Sequence, residues 1–202
     1  MRGIKLARIK ICVFTYDHPH PKTTSGLSAM WLHGFEPLVI WAAPWVGDRI
    51  EFDYAEDPRL FADKFGCEYK LLPHNEDYDP VCHFGVILGA RILPQHVIDK
   101  FPCGVINIHP GRLPGSGGLK AHELEYRNPD SGKITAHFID SRIDKGYEII
   151  VKDVKKYKPE TFDAFYSRVM AMQNIVLIEA IKKAAGVVAS GRDYKNLFKR
   201  VK

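Results

Sequence analysis

The chain has 202 residues, 46% of them hydrophobic and 26% charged, with a formal net charge of +5. That balance fits one globular domain with a full core, spanning residues 1–202, and excludes a disordered or fibrous chain. No apolar run is long enough to cross a bilayer.

The basic start (Arg2, Lys5, Arg8, Lys10) precedes an apolar stretch too short for a signal peptide, so a cytoplasmic protein is expected. Cys12, Cys67, Cys82 and Cys103 are widely spaced and form no C-x-x-C pair. They read as free thiols in a reducing compartment, not as a zinc ribbon or redox pair. The positive charge suits small anionic molecules. Solvated ends, including Lys195, Lys199, Arg200 and Lys202, account for part of it, and nucleic acid is not an expected partner.

In chain order, Ile9 to Thr15 reads as a buried strand and Ser25 to His33 as a helix, with Ser25 as its cap and Gly34 as its stop. Leu38 to Ala42 is a second strand, Pro58 to Lys64 a helix closed by Gly66, and Glu68 to Leu72 a third strand. Phe84 to Leu88 follows as a strand, then a short helix from Pro94 to Lys100 and a strand from Gly104 to His109. A loop rich in Gly and Pro covers residues 110–120. Ala121 to Tyr126 is a weak helix, and Ile134 to Ile139 and Glu148 to Val154 are strands.

The last element, Phe162 to Ala185, is the longest helix. Its apolar positions Phe162, Phe165, Tyr166, Val169, Met172, Ile175, Val176 and Ile181 recur at helical spacing. Alternation of strands and helices predicts a single α/β domain, Rossmann-like, with a mostly parallel twisted sheet flanked by helices.

The chemistry concentrates in Val105-Ile106-Asn107-Ile108-His109-Pro110-Gly111-Arg112-Leu113-Pro114. Asn107 and His109 are two apart on a strand, so their side chains share one face. A carboxamide and an imidazole aimed together from a strand end can polarise a carbonyl. Open α/β sheets bind ligands beyond the carboxyl ends of their strands. Three loops are read as leaving such ends: after Leu88, after His109 and after Ile139. In the third, Asp140-Ser141-Arg142-Ile143-Asp144-Lys145-Gly146, Gly146 permits a sharp turn that holds Asp144 near the apex. His18 and His20 lie among prolines with no third ligand in view, so no metal is expected.

Three ordered segments, Gly85 to Leu93, Val105 to Pro114 and His137 to Gly146, resemble the folate-dependent formyltransferases. In length and layout the chain is nearest to the glycinamide ribonucleotide transformylases. The resemblance runs from about residue 84 to 153, and Gly118-Leu119-Lys120-Ala121-His122 is similar to the family's loop after the catalytic strand. It implies a folate-dependent N-formyltransferase that takes the formyl group from 10-formyltetrahydrofolate and gives it to a primary amine. It also implies that Asn107, His109 and Asp144 are catalytic. Asn107 and His109 would stabilise charge on the formyl oxygen, and Asp144 would orient His109 or assist proton transfer. Folate would lie against Ala90, Arg91, Ile92 and Leu93 and against Ile139, Asp140, Ser141 and Asp144.

The acceptor would be a small anionic amine, like glycinamide ribonucleotide or an amino-sugar nucleotide. Thr15, Thr23, Thr24, His122 and Gln173 are the residues expected to meet it. The chain departs from the family between Tyr16 and Gly26, where a glycine-rich phosphate loop is replaced by a segment with two prolines, which lack N–H donors. Other readings are a 10-formyltetrahydrofolate hydrolase and a non-catalytic basic relative that binds nucleic acid. A homodimer is left open.

Overall fold

A computed structural model describes residues 9–44, 54–72, 81–89, 92–118, 120–129 and 132–201. The elements are β1 (Ile11–Tyr16), α1 (Pro21–Leu32), β2 (Pro37–Ala43), α2 (Pro58–Phe65), β3 (Glu68–Leu71), β4 (Phe84–Ile87) and α3 (Gln95–Ile98). There follow β5 (Val105–His109), α4 (Ala121–Arg127), β6 (Gly132–Ile139), β7 (Gly146–Val154), α5 (Phe162–Ser190), a 3-10 turn (Tyr194–Asn196) and β8 (Lys199–Val201).

These strands form one eight-stranded sheet in the order β3-β2-β1-β4-β5-β6-β7-β8. The first five positions are parallel, and β6, β7 and β8 join antiparallel. The mostly parallel α/β fold expected from the sequence is therefore present. β1 shows why its strand is apolar throughout. Ile11 and Val13 enter the core beneath α1, α2 and α5, while Cys12 and Phe14 enter a second core with Val97 and Ile98 of α3. A central strand covered on both faces has no polar side.

Several element boundaries differ from the sequence reading. α1 starts at Pro21 rather than near Ser25, because Pro21 occupies the first helical position and His20 Nδ1 accepts from the Lys22 N–H at 3.1 Å. The segment read as a loop up to Gly26 is thus shorter. α5 runs on to Ser190, where Gly191 closes it with φ +62°, and Thr161 caps its start. Ile175 of its apolar series is 57% exposed.

The basic tail keeps Lys195, Lys199 and Arg200 exposed, as read from the sequence, but residues 199–201 also form a strand that was not foreseen. β8 pairs with Gly146, Tyr147 and Glu148, and Tyr194 packs on Phe138 with ring centroids 4.5 Å apart. Its short length and charged composition hid it from pattern reading. Cys12 and Cys82 are buried, Cys67 and Cys103 half-buried, and all four are free thiols as expected. Among the described residues no helix is long and apolar enough to cross a membrane.

Candidate active site

Asn107 and His109 do share a face of β5. In register, Asn107 stands opposite His137 of β6 and His109 opposite Thr135. β6 is antiparallel to β5, so the loop after Ile139 does not leave the same sheet edge as the loops after Leu88 and His109. It reaches the site by folding back over this face. Asp144, with φ +53°, sits in that loop and brings Oδ1 to 3.3 Å from His109 Nδ1. Its other oxygen accepts the Gly118 N–H at 2.6 Å. One carboxylate therefore ties β5 to the glycine-rich loop that follows it.

His109 is 4% exposed, and its Nε2 lies 2.5 Å from the Ser116 carbonyl. A carbonyl only accepts, so the ring donates from Nε2. Ser116 is held in turn by Glu125 of α4, to which its hydroxyl donates. Glu125, 1% exposed, also accepts the N–H groups of Arg112 at 2.9 Å and Lys133 at 2.8 Å. Three donors satisfy this buried carboxylate and set the loop that orients His109. The sequence reading missed Ser116 and Glu125; the one signal was a glutamate four residues after Ala121, on the buried side of a short helix.

Burial alone would raise the Asp144 pKa. The hydrogen bond and charge of His109, the Gly118 N–H and the charge of His137 outweigh it and hold the group at about 2. His137 goes the other way: burial first, then the charge of His109, pushes its ring down to about 4. A neutral His137 that donates from Nδ1 to the Lys145 carbonyl at 3.2 Å presents a lone pair at Nε2. That lone pair faces Asn107 Nδ2 at 3.4 Å, which orients the carboxamide.

His137 also makes a stability prediction. Its native pKa of about 4 lies below the ordinary 6.5, so the unfolded chain binds the proton first as pH falls. Its contribution is complete above pH 6.5 and is lost on acidification toward pH 4, a range worth about 3 kcal/mol. His137→Gln should flatten the decline of urea-unfolding free energy across that window. An unchanged slope would show that His137 is not held neutral.

A cavity of about 830 Å³ opens over this face. Of the residues expected to line it, Asn107, His109, Asp144, Ile92, Leu93, Ile139, Asp140, Ser141, Thr15, His122 and Gln173 do so. Ala90, Arg91 and Leu119 lie outside the described residues. On the α3 side the wall is apolar, from Ile92, Leu93 and Ile139, with the 140–143 loop above it. That loop is braced: the Ser141 N–H donates to Gln95 Oε1 at 3.1 Å, and Arg142 and Arg200 flank the Asp140 carboxylate. Burial raises the Asp140 pKa, but Arg142 above all brings it below its ordinary value.

The opposite wall comes from α1, α4 and α5. It includes His20, Lys22, His122, Phe162, Tyr166, Met170 and Gln173. Thr23 and Thr24 are not brought there. The Thr23 hydroxyl donates to the Leu88 carbonyl at 2.9 Å, and Thr24 Oγ1 exchanges hydrogen bonds with the backbone of Glu56. Both are committed to packing because α1 begins before them.

Lys22, missed by the sequence reading, points Nζ at the Ile108 carbonyl, 3.2 Å away, and burial pushes its ammonium down to about 8 against the charge of Asp144. His20 and His122 are likewise lowered to about 4, chiefly by burial. No group of three or more His, Cys, Asp or Glu among the described residues could hold a metal ion.

The formyl transferase family pattern matches residues 83–181. Residues 83–181 belong to the formyl transferase family. The match takes in β4, β5, the loop through Ser116, Asp144 and most of α5. Phosphoribosylglycinamide formyltransferase of Schizosaccharomyces pombe is 32% identical over 101 residues, 47% of this chain. The chain spans 47% of that relative and 8% of a trifunctional purine biosynthetic protein of Chironomus tentans.

The solved structure of glycinamide ribonucleotide transformylase 1 from Symbiobacterium toebii superposes with TM-score 0.68 at 20% identity. It covers 92% of this chain and 91% of its own. An N-formyltransferase from Helicobacter canadensis, solved with folinic acid and dTDP-3-aminofucose, gives TM-score 0.66 at 18% identity, over 96% of this chain and 67% of its own. The formyl transferase fold therefore extends beyond the matched segment.

Proposed function

We propose that this chain is a single formyltransferase domain that moves a formyl group from 10-formyltetrahydrofolate to a primary amine. The observation that carries the reading is the Asn107, His109 and Asp144 arrangement on the floor of one cavity, inside the family match. The cavity's size and its apolar α3-side wall suit a planar heterocycle such as that of folinic acid, with which the Helicobacter canadensis relative was solved. The α1, α4 and α5 side then takes the amine. The acceptor class includes glycinamide ribonucleotide and amino-sugar nucleotides, which the names of the relatives support.

Attack of an amine on the formyl carbon places negative charge on the formyl oxygen. Asn107 supplies a carboxamide N–H already aimed by His137, and His109, held between Ser116 and Asp144, reaches the oxygen by turning its Nε2–H from the Ser116 carbonyl. Because Asn107 is fixed before the reaction, that donor needs no reorganisation as charge develops. Asp144, ionised throughout the physiological range, fixes the His109 ring and supports the removal of the amine proton.

The test incubates the protein with 10-formyltetrahydrofolate and a panel of amines, following tetrahydrofolate release and formylated product together. Equal amounts of both are expected for at least one amine. Tetrahydrofolate release without product would replace this reading with a hydrolase, and no release would overturn it.

A further inference from the structure

We propose that Lys22 anchors the amine acceptor through an acid group that bears one charge, a carboxylate or one phosphate of a diphosphate diester, in place of a backbone anion nest at the β1–α1 turn. The inference rests on the formyl-transfer reading for the identity of the ligand as an acceptor.

Four observations lead there. First, four positions of the turn have no backbone N–H to give a phosphate. Pro19 and Pro21 have no N–H, the Lys22 N–H is taken by His20 Nδ1, and the Thr24 N–H by the His20 carbonyl at 2.9 Å. Second, Lys22 Nζ is placed against the strand that carries Asn107 and His109. An ammonium has three donors, and the Ile108 carbonyl takes one of them.

Third, three buried polar atoms on the cavity wall find no hydrogen-bond partner in the protein: Thr15 Oγ1, His122 Nε2 and Gln173 Oε1. Thr15 is 2% exposed and Gln173 4%. Buried polar atoms are ordinarily paired, so three unpaired ones on residues that line one cavity leave hydrogen-bonding capacity there for a ligand. Gln173 Oε1 can only accept, so that ligand also carries an N–H or O–H.

Fourth, the charges on this side favour an acid group with one charge. His20 and His122 are held neutral near pH 7 by burial, and Asp144 and Glu123 share the cavity, so Lys22 is the ammonium that meets an anion there. A terminal phosphate would concentrate two charges on one phosphorus close to Asp144, whereas each phosphate of a diphosphate diester bears one. An acid group with one charge matches one ammonium and uses Thr15 and His122 for its remaining lone pairs.

Calorimetric binding to the full chain, wild type and the variants Lys22→Met and Lys22→Arg, tests this without turnover. The probes are glycine, glycinamide, glycinamide ribonucleotide and a dTDP-amino sugar, with folinic acid as the donor-side control. Glycine or the dTDP-amino sugar should bind wild type more tightly than uncharged-end glycinamide, and which of the two prevails identifies the source of the charged group. Lys22→Met should weaken that probe about tenfold or more, the scale of one lost charge-assisted hydrogen bond. Lys22→Arg should recover most of the loss, and folinic acid should bind all three proteins equally.

Unchanged affinity in Lys22→Met overturns the proposal. So does tightest binding of the phosphate monoester independent of Lys22, or the absence of any advantage of charged probes over glycinamide. Failure of folinic acid to bind wild type counts against the formyl-transfer reading and leaves the dependence of anion binding on Lys22 to stand or fall by itself.

Discussion

His109→Ala and Asn107→Ala should each lower kcat for formyl transfer by about a hundred- to a thousandfold, the cost of removing one donor from a site of developing negative charge. The two differ in what else moves. His109 links Ser116 and Asp144, so its loss frees both the 110–118 loop and the carboxylate. Asn107 contacts His137 across the β5–β6 pair, so truncating it should leave those segments in place. The double variant should therefore lose much less than the product of the two single losses, because groups that act as a unit are not additive. Steady-state kinetics with the amine found in the panel assay measures this. Activity within about threefold of wild type in either single variant would remove that residue from the mechanism.

Gly146→Ala should destabilise the protein by about 3–5 kcal/mol, in the upper range for a single substitution. The glycine has φ +125°, and a Cβ there would lie 1.9 Å from the Phe138 carbonyl oxygen and 2.9 Å from its carbon. Both obstacles are backbone in the middle of a paired sheet, and neither can swing aside as a side chain end could. The β6–β7 turn would have to open, carrying Asp144 away from His109. Urea denaturation should show the midpoint falling sharply, and the protein that still folds should lose formyl transfer along with stability. A change below about 1 kcal/mol would mean that the turn relaxes freely.

The two predictions concern neighbouring segments for a reason. Asp144 takes a left-handed conformation, Gly146 an extended one with positive φ, and the turn between β6 and β7 exists to point one carboxylate back across the sheet. Position and chemistry are set by the same few residues. Stability and activity should therefore fall together at Gly146 and separately at Asn107.

Much of this site could be read in the sequence because it depends on short-range geometry. Two polar residues separated by one apolar residue on a strand must share a face, and Asn107 and His109 do. A glycine after an aspartate in a hairpin loop announces a sharp turn, and Gly146 makes one. The apolar runs at Ile11, Phe84 and Val105 announced buried parallel strands. Each of these inferences concerns residues within a few positions of one another.

What the tertiary structure alone decided depends on residues far apart. Lys22 meets the Ile108 carbonyl across 86 positions, and nothing near Lys22 marks it as a cavity residue. Thr23 and Thr24, beside it, turn away because the helix starts at Pro21 and its phase sends their hydroxyls to Leu88 and Glu56. The antiparallel entry of β6, which forces the Asp144 loop to fold back, and the pairing of β8 with β7 follow from sheet order. Local sequence does not encode that order. The sequence by itself determined the class of fold and the shared strand face of Asn107 and His109. The fold decided which groups line the cavity, because only long-range packing brings Thr15, His122 and Gln173 to it from β1, α4 and α5.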